Sequence, residues 1–371
     1  MQSSDQPEPM KSTPFDRNTQ WLRGDGDACD VVMSSRARLA RNLAGFPFTS
    51  QGSESDQRQV LDACKERILS MPLENKAQML WVDLHGSKKE DRSLLVERQL
   101  MSRQHAKGKQ SNGAGNTDSP RGIAVLLPDE HVSVMVNDED HLRMQMVHSG
   151  FGLGQCLQEI NAIDDAIEDG IDYAYDARFG YLTACPTNVG TGLRLSVLLH
   201  LPALSMFGDL DKVRNATRDM GLAVRGIYGE GSESVGDFYQ ISNQTTLGKS
   251  DEALLSELED EIIPRIIRYE RHARNALLEK KNSVILDEVH RAIGILSRAR
   301  LMKTDEAMGL LSLARLGALA GIIDEVQLGV IHTLMLQVQP AHLQKTLGVD
   351  LNQQQRRLAR AEIIRTKLGL A

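Results

Sequence analysis

The hydrophobic period of this chain changes at Gly248, and that change limits the folds open to it more than any other feature. Before Gly248 the apolar residues come in short runs. Gln78–Leu84, Gly122–Leu127, His131–Val136, Leu222–Tyr228 and Asp237–Gln244 read as strands. Two helical patterns lie among them. Asp56–Met71 carries Val60, Leu61, Cys64, Ile68 and Leu69 at helical spacing. Cys156–Glu168 is amphipathic, and Asp164, Asp165, Glu168 and Asp169 read as its solvated face. Leu195–His200 fits a buried strand or a buried helix segment equally. After Gly248 every pattern is helical. Ser250 caps an acidic first turn, Asp251 and Glu252, and Pro264 is expected to kink the long run that follows. Val284–Lys303, Asp305–Leu319 and Asp324–Gln337 continue the pattern. Pro340 opens a short helix that stops near Gly348, and Asp350 is expected to cap a last one. The fold class is α+β: an antiparallel sheet flanked by helices over 25–255, then an all-helical region over 256–371.

The chain has 371 residues, enough for two domains, and 25% of them are charged. A net charge of −7 argues against general nucleic-acid binding, which favours a basic face. The longest apolar run, Leu310–Ile323, is broken by Arg315, so no membrane span is expected. Residues 1–20 are polar, lack a signal-peptide core and read as a disordered tail. Ala106–Pro120 reads as a mobile surface loop. Cys29, Cys64, Cys156 and Cys185 are widely spaced, which points to a reducing cytoplasm rather than to a disulfide framework or a zinc site.

One run carries the chemistry: Cys185-Pro186-Thr187-Asn188-Val189-Gly190-Thr191-Gly192-Leu193-Arg194. Pro186 and Asn188 form turns, and Gly190 and Gly192 allow close backbone approach. The run reads as a turn presenting backbone amides and a guanidinium to an anion. Ser34-Ser35-Arg36-Ala37-Arg38 and Arg225-Gly226-Ile227-Tyr228-Gly229-Glu230 add arginines, small residues and a carboxylate. Such a set suits a triphosphate, because a planar guanidinium stays charged and binds phosphate oxygens in pairs. Gly248-Lys249-Ser250 resembles the end of a Walker A loop, but Asn243 stands where its first glycine belongs.

CPTNVGTGLR, SSRARLARNL and VNDEDHLR resemble the phosphagen (guanidino) kinases, and RGIYGEGSES followed by ISNQTTLG resembles their bacterial protein arginine kinase group. The resemblance runs from Cys29 to the C-terminus. It implies a phosphagen kinase-like catalytic domain, ATP as donor, and Mg²⁺ held mainly by phosphates and water. It implies that Arg36, Arg38, Arg143, Arg194 and Arg225 bind the nucleotide. Ser34, Ser35, Ala37, Leu195, Ser196, Val197, Leu198, Gly226, Ile227, Tyr228, Gly229 and Glu230 adjoin these arginines, and Gln99, in Leu95–Leu100, is implied to contact the nucleotide as well. Glu139 matches the catalytic glutamate, Glu230 a second carboxylate that grips the guanidinium, and Cys185 the reactive cysteine. A guanidinium needs such carboxylates, because it is protonated at neutral pH and must lose a proton to become a nucleophile.

Three positions depart from the pattern. Asp138 stands where relatives more often carry Glu, and Gln99 where the protein arginine kinases usually have a nucleotide-contacting histidine. In Arg356-Arg357-Leu358-Ala359-Arg360-Ala361, Arg357 replaces the Asp of an RDxxRA motif that forms an allosteric phosphoarginine pocket. The polar stretch before Ser34 is shorter than the helical domain of the small-metabolite kinases, so the site is expected to be open to arginine displayed on a protein. The implied partners are arginine-bearing proteins, a zinc-binding activator (McsA), a Clp-type ATPase and protease, a stress-gene repressor and further copies of the chain. The rival readings are a kinase for free arginine or another guanidino metabolite, and an inactive phosphoarginine-binding adaptor.

Overall fold

The computed structural model describes residues 19–73, 77–108, 119–226 and 235–369. Most of the expected tail and of the Ala106–Pro120 loop lies outside these residues. Thr19 and Gln20, the last two positions of the tail, are buried, and Gln20 opens helix α1 (Gln20–Arg23).

The chain before Asp251 runs β1 (Val32–Arg41), α2 (Glu54–Ser70), β2 (Gln78–Asp83), α3 (Lys89–Glu97), α4 (Arg103–Lys107), β3 (Gly122–Leu127), β4 (Val132–Val136) and β5 (Leu142–Ser149). It continues with α5 (Leu153–Glu168), a small ladder of β6 (Tyr175–Asp176) and β7 (Gly180–Tyr181), and β8 (Leu193–His200). Then come α6 (Pro202–Phe207), α7 (Leu210–Asp219), β9 (Leu222–Gly226) and β10 (Phe238–Asn243). Eight strands form one sheet in the order β2-β3-β4-β5-β1-β8-β10-β9, with every adjacent pair antiparallel.

The sheet has two unlike faces because side chains alternate along each strand. Ala37, Leu39, Val134, Met144, Leu195, Val197 and Ile241 point to one face and join the main core with α2 and α5. Arg36, Arg38, Arg143, Arg194 and Arg225 point to the other. At the β2–β4 edge of that second face, α3 and α4 cover a smaller core of Val82, Leu95, Leu100, Ile123, Val125 and Met135. The open question over Leu195–His200 is resolved as strand β8. It lies between β1 and β10, and a strand buried on both sides reads as a continuous apolar run.

After Ser250, whose hydroxyl accepts the Ala253 N–H, the chain is helical. The elements are α8 (Asp251–Ser256), α9 (Ile263–Lys280), α10 (Asn282–Arg298), α11 (Thr304–Leu319), α12 (Leu328–Gln337), α13 (Pro340–Leu347) and α14 (Gln353–Leu368). Pro264 produces a π-helical turn, Glu257–Ile262, just ahead of α9. The wider turn accommodates the missing N–H and the ring. Asp350 does not cap the last helix. Asn352 does, in a reciprocal pair with Gln355, because its side chain stands three residues ahead of the first orphan N–H it can reach. Among the described residues, no helix is long and apolar enough to cross a membrane. Arg315, which breaks the apolar run, is buried in α11. It donates to His332 Nε2 and to the Asp30 carbonyl, and meets His200 Nδ1 at 2.7 Å.

Candidate active site

The arginine face is built by strand register. In antiparallel pairing, residues directly opposite share a face. Arg36 pairs with Ser196, Arg38 with both Arg194 and Gln145, Ala40 with Arg143, and Arg225 with Gln240. The five expected arginines therefore converge from four strands, half-buried on one surface. Ser196 accepts from Arg36 Nε at 3.3 Å, and Ser242 accepts from Arg194 Nη2 at 3.1 Å. Asp138 takes Arg143 Nη1 at 2.8 Å. Withdrawal from water, and then the guanidiniums of Arg143 and Arg194, push Arg36 down to about 9. Arg38 is pushed well down by the same desolvation and by its four arginine neighbours. A bound polyanion reverses both effects, since it replaces lost hydration and neutralises like-charge repulsion.

The alternation corrects part of the expected set. Ser35, Ala37, Leu195 and Val197 turn their side chains to the opposite, core face. Ser35 is a brace: its hydroxyl donates to the Gly150 carbonyl and accepts the Gly152 N–H at the start of α5. Ser34 and Leu198 pair on the arginine side but are buried. Gln99 sits at φ 60°, and its carbonyl accepts from Gln145, the partner of Arg38. Ile227, Tyr228, Gly229 and Glu230 lie outside the described residues, and Gly226 ends β9.

Two loops frame this face, and the end of β1 ties them together. Glu139 stands exposed in the β4–β5 loop, between buried Asp138 and Asp140. Asn137 donates to the Gln57 and Pro120 carbonyls, and Asp140 Oδ1 accepts from Asn42 at 2.7 Å and from the Ala184 N–H at 2.6 Å. That last bond joins the Glu139 loop to the residue before Cys185. Cys185 is half-buried, with its sulfur 3.0 Å from the Thr187 hydroxyl. Burial raises Asp140 above the usual carboxylate range, while the Ala184 and Asn42 donors oppose it.

Arg41 is a residue that the sequence reading passed over. It ends β1 buried, its guanidinium 3.6 Å from the centre of the Tyr181 ring, and it bonds Asp164 at 2.6 Å and the Thr191 carbonyl at 2.9 Å. Asp164 is therefore not part of a solvated face as expected. It is the buried counter-charge of the arginine that anchors the Cys185 turn, and desolvation raises it against that partner. The glycines of the turn approach protein backbone: a Cβ on Gly192, at φ 67°, would lie 2.6 Å from the Ala40 carbonyl oxygen. The ISNQTTLG run has an equally local cause. Ser242 holds Arg194, Asn243 accepts the Leu195 N–H and donates to the Leu193 carbonyl, and Thr246 donates to the Val189 carbonyl.

A second basic region lies apart from the sheet. Arg356, Arg357 and Arg360 line a cleft of about 900 Å³ with Lys89, Arg103, Lys107 and Lys303, against Glu97 and Asp305. Ala361 does not line it. It is buried in the main core, because one position along a helix turns a side chain by about 100°. Arg360 donates to the Val338 and Met302 carbonyls, and burial pushes it down to about 10. Among the described residues, no group of three or more His, Cys, Asp or Glu side chains is placed to hold a metal ion.

The family model for the C-terminal catalytic domain of ATP:guanido phosphotransferases matches residues 59–273, and that for the protein-arginine kinase McsB C-terminal domain matches 282–371. A protein-arginine kinase of Halothermothrix orenii is 41% identical over 95% of this chain and 97% of its own length. One of Caldanaerobacter subterraneus is 43% identical over 92% and 97%. Among solved structures, the duplicated taurocyamine kinase of Schistosoma mansoni with transition-state analogue components aligns with a TM-score of 0.56 at 28% identity. It covers 65% of this chain and 33% of its own.

Proposed function

The chain belongs to the ATP:guanido phosphotransferase family, among the protein-arginine kinases, and on that premise we propose that it transfers the γ-phosphoryl group of ATP to arginine side chains of proteins. The observation that carries this reading is the convergence of five arginines from four strands on one face, beside an exposed glutamate and a half-buried cysteine. In this reading the arginines hold the triphosphate and stabilise charge on the equatorial oxygens of the moving phosphoryl group. Glu139 accepts a proton from the substrate guanidinium as its nitrogen attacks phosphorus in line and the bond to the β-phosphate oxygen breaks. Glu230 and Cys185 align the guanidinium. Guanidiniums cannot ligate a cation, so Mg²⁺ fits here as a companion of the phosphates, neutralising their charge.

The same reading divides the chain into a catalytic domain over 25–255 and a helical domain over 256–371, in a cytoplasmic protein. Its products would be marks for a Clp-type protease, with a stress-gene repressor among the substrates, McsA as activator and further copies of the chain as partners. The basic cleft at Arg356, Arg357 and Arg360 is its candidate phosphoarginine pocket. Incubation with ATP and an unfolded, arginine-bearing protein, read by mass spectrometry, tests the activity. Phosphoarginine on the protein is the expected product. Phosphorylation of free arginine alone, or no phosphorylation together with loss of nucleotide binding, would replace this reading with one of its rivals.

A further inference from the structure

Helix α4 faces two sites at once. Arg103 and Lys107 line the basic cleft, while Ser102 and His105 face Asp138 beside Glu139. Ser102 Oγ accepts the His105 N–H at 2.9 Å, capping the helix, and donates to Asp138 Oδ1 at 3.4 Å. His105 is buried, and its Nδ1 lies 3.6 Å from the same oxygen. Its other nitrogen, Nε2, faces the Gly122 carbonyl at 3.1 Å. A carbonyl only accepts, so Nε2 carries the proton and Nδ1 of the neutral ring offers a lone pair to a carboxylate. Nδ1 accordingly has no hydrogen-bond partner although it is buried. The second oxygen of Asp138 holds Arg143.

We propose that His105 is a positioning residue for the transfer, acting through Asp138, and that its protonation decides how firmly Arg143 holds that carboxylate against the pull of α4. With the ring neutral, Asp138 leans on Arg143 and keeps that guanidinium and the adjoining Glu139 loop in register. When the ring gains a proton, Nδ1–H donates to Asp138 Oδ1, the carboxylate is drawn toward α4, and the hold on Arg143 weakens. The charged groups facing the imidazole are Asp138 from the β4–β5 loop, Arg143 from β5 and Arg121 ahead of β3, whose Nε bonds the His105 carbonyl. Burial keeps the ring neutral at neutral pH, with Asp138 opposing and the two arginines assisting. The inference rests on the kinase reading for its consequence, but the His105–Asp138 link can be tested without it.

Two measurements on the full chain test it. The first is the pH profile of kcat/KM for wild type and His105→Gln, which keeps a donor for the Gly122 carbonyl and cannot gain a proton. The wild type should show an acid-side fall of at most about tenfold per pH unit, with its inflection below the ordinary histidine range. That inflection should vanish in the variant. The second is an NMR titration of the His105 ring in wild type and Asp138→Asn. Loss of the carboxylate should move the ring's titration further down. An unchanged inflection in His105→Gln, or an unchanged titration in Asp138→Asn, overturns the proposal. A shifted titration in a protein that forms no phosphoarginine overturns the kinase reading and leaves the link standing.

Discussion

Glu139 is the one exposed member of an otherwise buried acidic loop, and its neighbours do the positioning. Asp138 holds Arg143, and Asp140 holds Asn42 and the Ala184 N–H, so the tip has little freedom to move. Glu139→Gln keeps the size and removes the proposed proton acceptor. Phosphoarginine formation should fall about 100-fold or more while ATP affinity stays near wild type. Single-turnover assays with a protein substrate, set beside nucleotide titration, would show it, and near-normal turnover would remove Glu139 from the proposed role. At Cys185 the comparison is with the other thiols. Burial pushes Cys64 and Cys156 up to about 12, whereas Cys185 is half-buried in a surface turn. A thiol reagent should therefore modify Cys185 well ahead of Cys64 and Cys156, and bound ATP should slow the reaction. Site-resolved alkylation that is uniform, or indifferent to nucleotide, would assign Cys185 a purely structural part.

Strand β1 is the element on which the site turns. Its even-numbered residues Arg36 and Arg38 face the arginine side, its odd-numbered residues Ala37 and Leu39 face the core, and its last residue, Arg41, anchors the Cys185 turn. The sequence reading took SSRAR as a motif and not as a strand. Charged residues at every second position dilute the apolar signal by which strands are recognised. β5 gives no clear strand signal for the same reason, since Arg143 and Gln145 interrupt Met144 and Met146. The register makes a prediction about the clamp. On the proposed function, Arg194→Ala removes charge-assisted bonds to a phosphate from a half-buried site, each contributing about 1.5–3 kcal/mol. It should lower kcat/KM for ATP roughly tenfold to hundredfold. Arg298→Ala, on an exposed stretch of α10, should stay close to wild type. Equal kinetics for the two variants would detach the arginine face from nucleotide use.

Across the whole molecule, the sheet and the C-terminal helices meet at buried polar groups as well as at apolar ones. Arg315 of α11 reaches His200 at the end of β8, His332 of α12 and the carbonyls of Cys29 and Asp30. Burial, and then Arg315, push His332 down to about 4 from its usual 6.5. The folded chain resists this proton and the unfolded chain accepts it. The contribution to stability is thus complete above pH 6.5 and is lost as the pH falls toward 4. By pH 5 the loss attributable to this residue is about 2 kcal/mol. Denaturant midpoints at pH 7.5 and pH 5 should draw apart less in His332→Gln than in wild type. An identical separation would place the acid sensitivity elsewhere.

Local pattern alone determined the helices after Gly248, the stop at Gly348, the Ser250 cap and the strands β2, β3, β4, β9 and β10, because period, caps and turn residues act within a few positions. The motifs that carry the family resemblance singled out the arginines, whose planar, permanently charged forks suit a triphosphate. Only the tertiary structure decided which arginines belong together. Arg36, Arg38, Arg143, Arg194 and Arg225 come from four strands and are united by register, whereas Arg41, in the same motif, is committed to Asp164, and Arg315 to a helix junction. Chemically these side chains are the same. What separates the guanidiniums gathered on the sheet face from those locked into the fold is the partner across the fold, and the identity of that partner is a long-range property that no window of sequence contains.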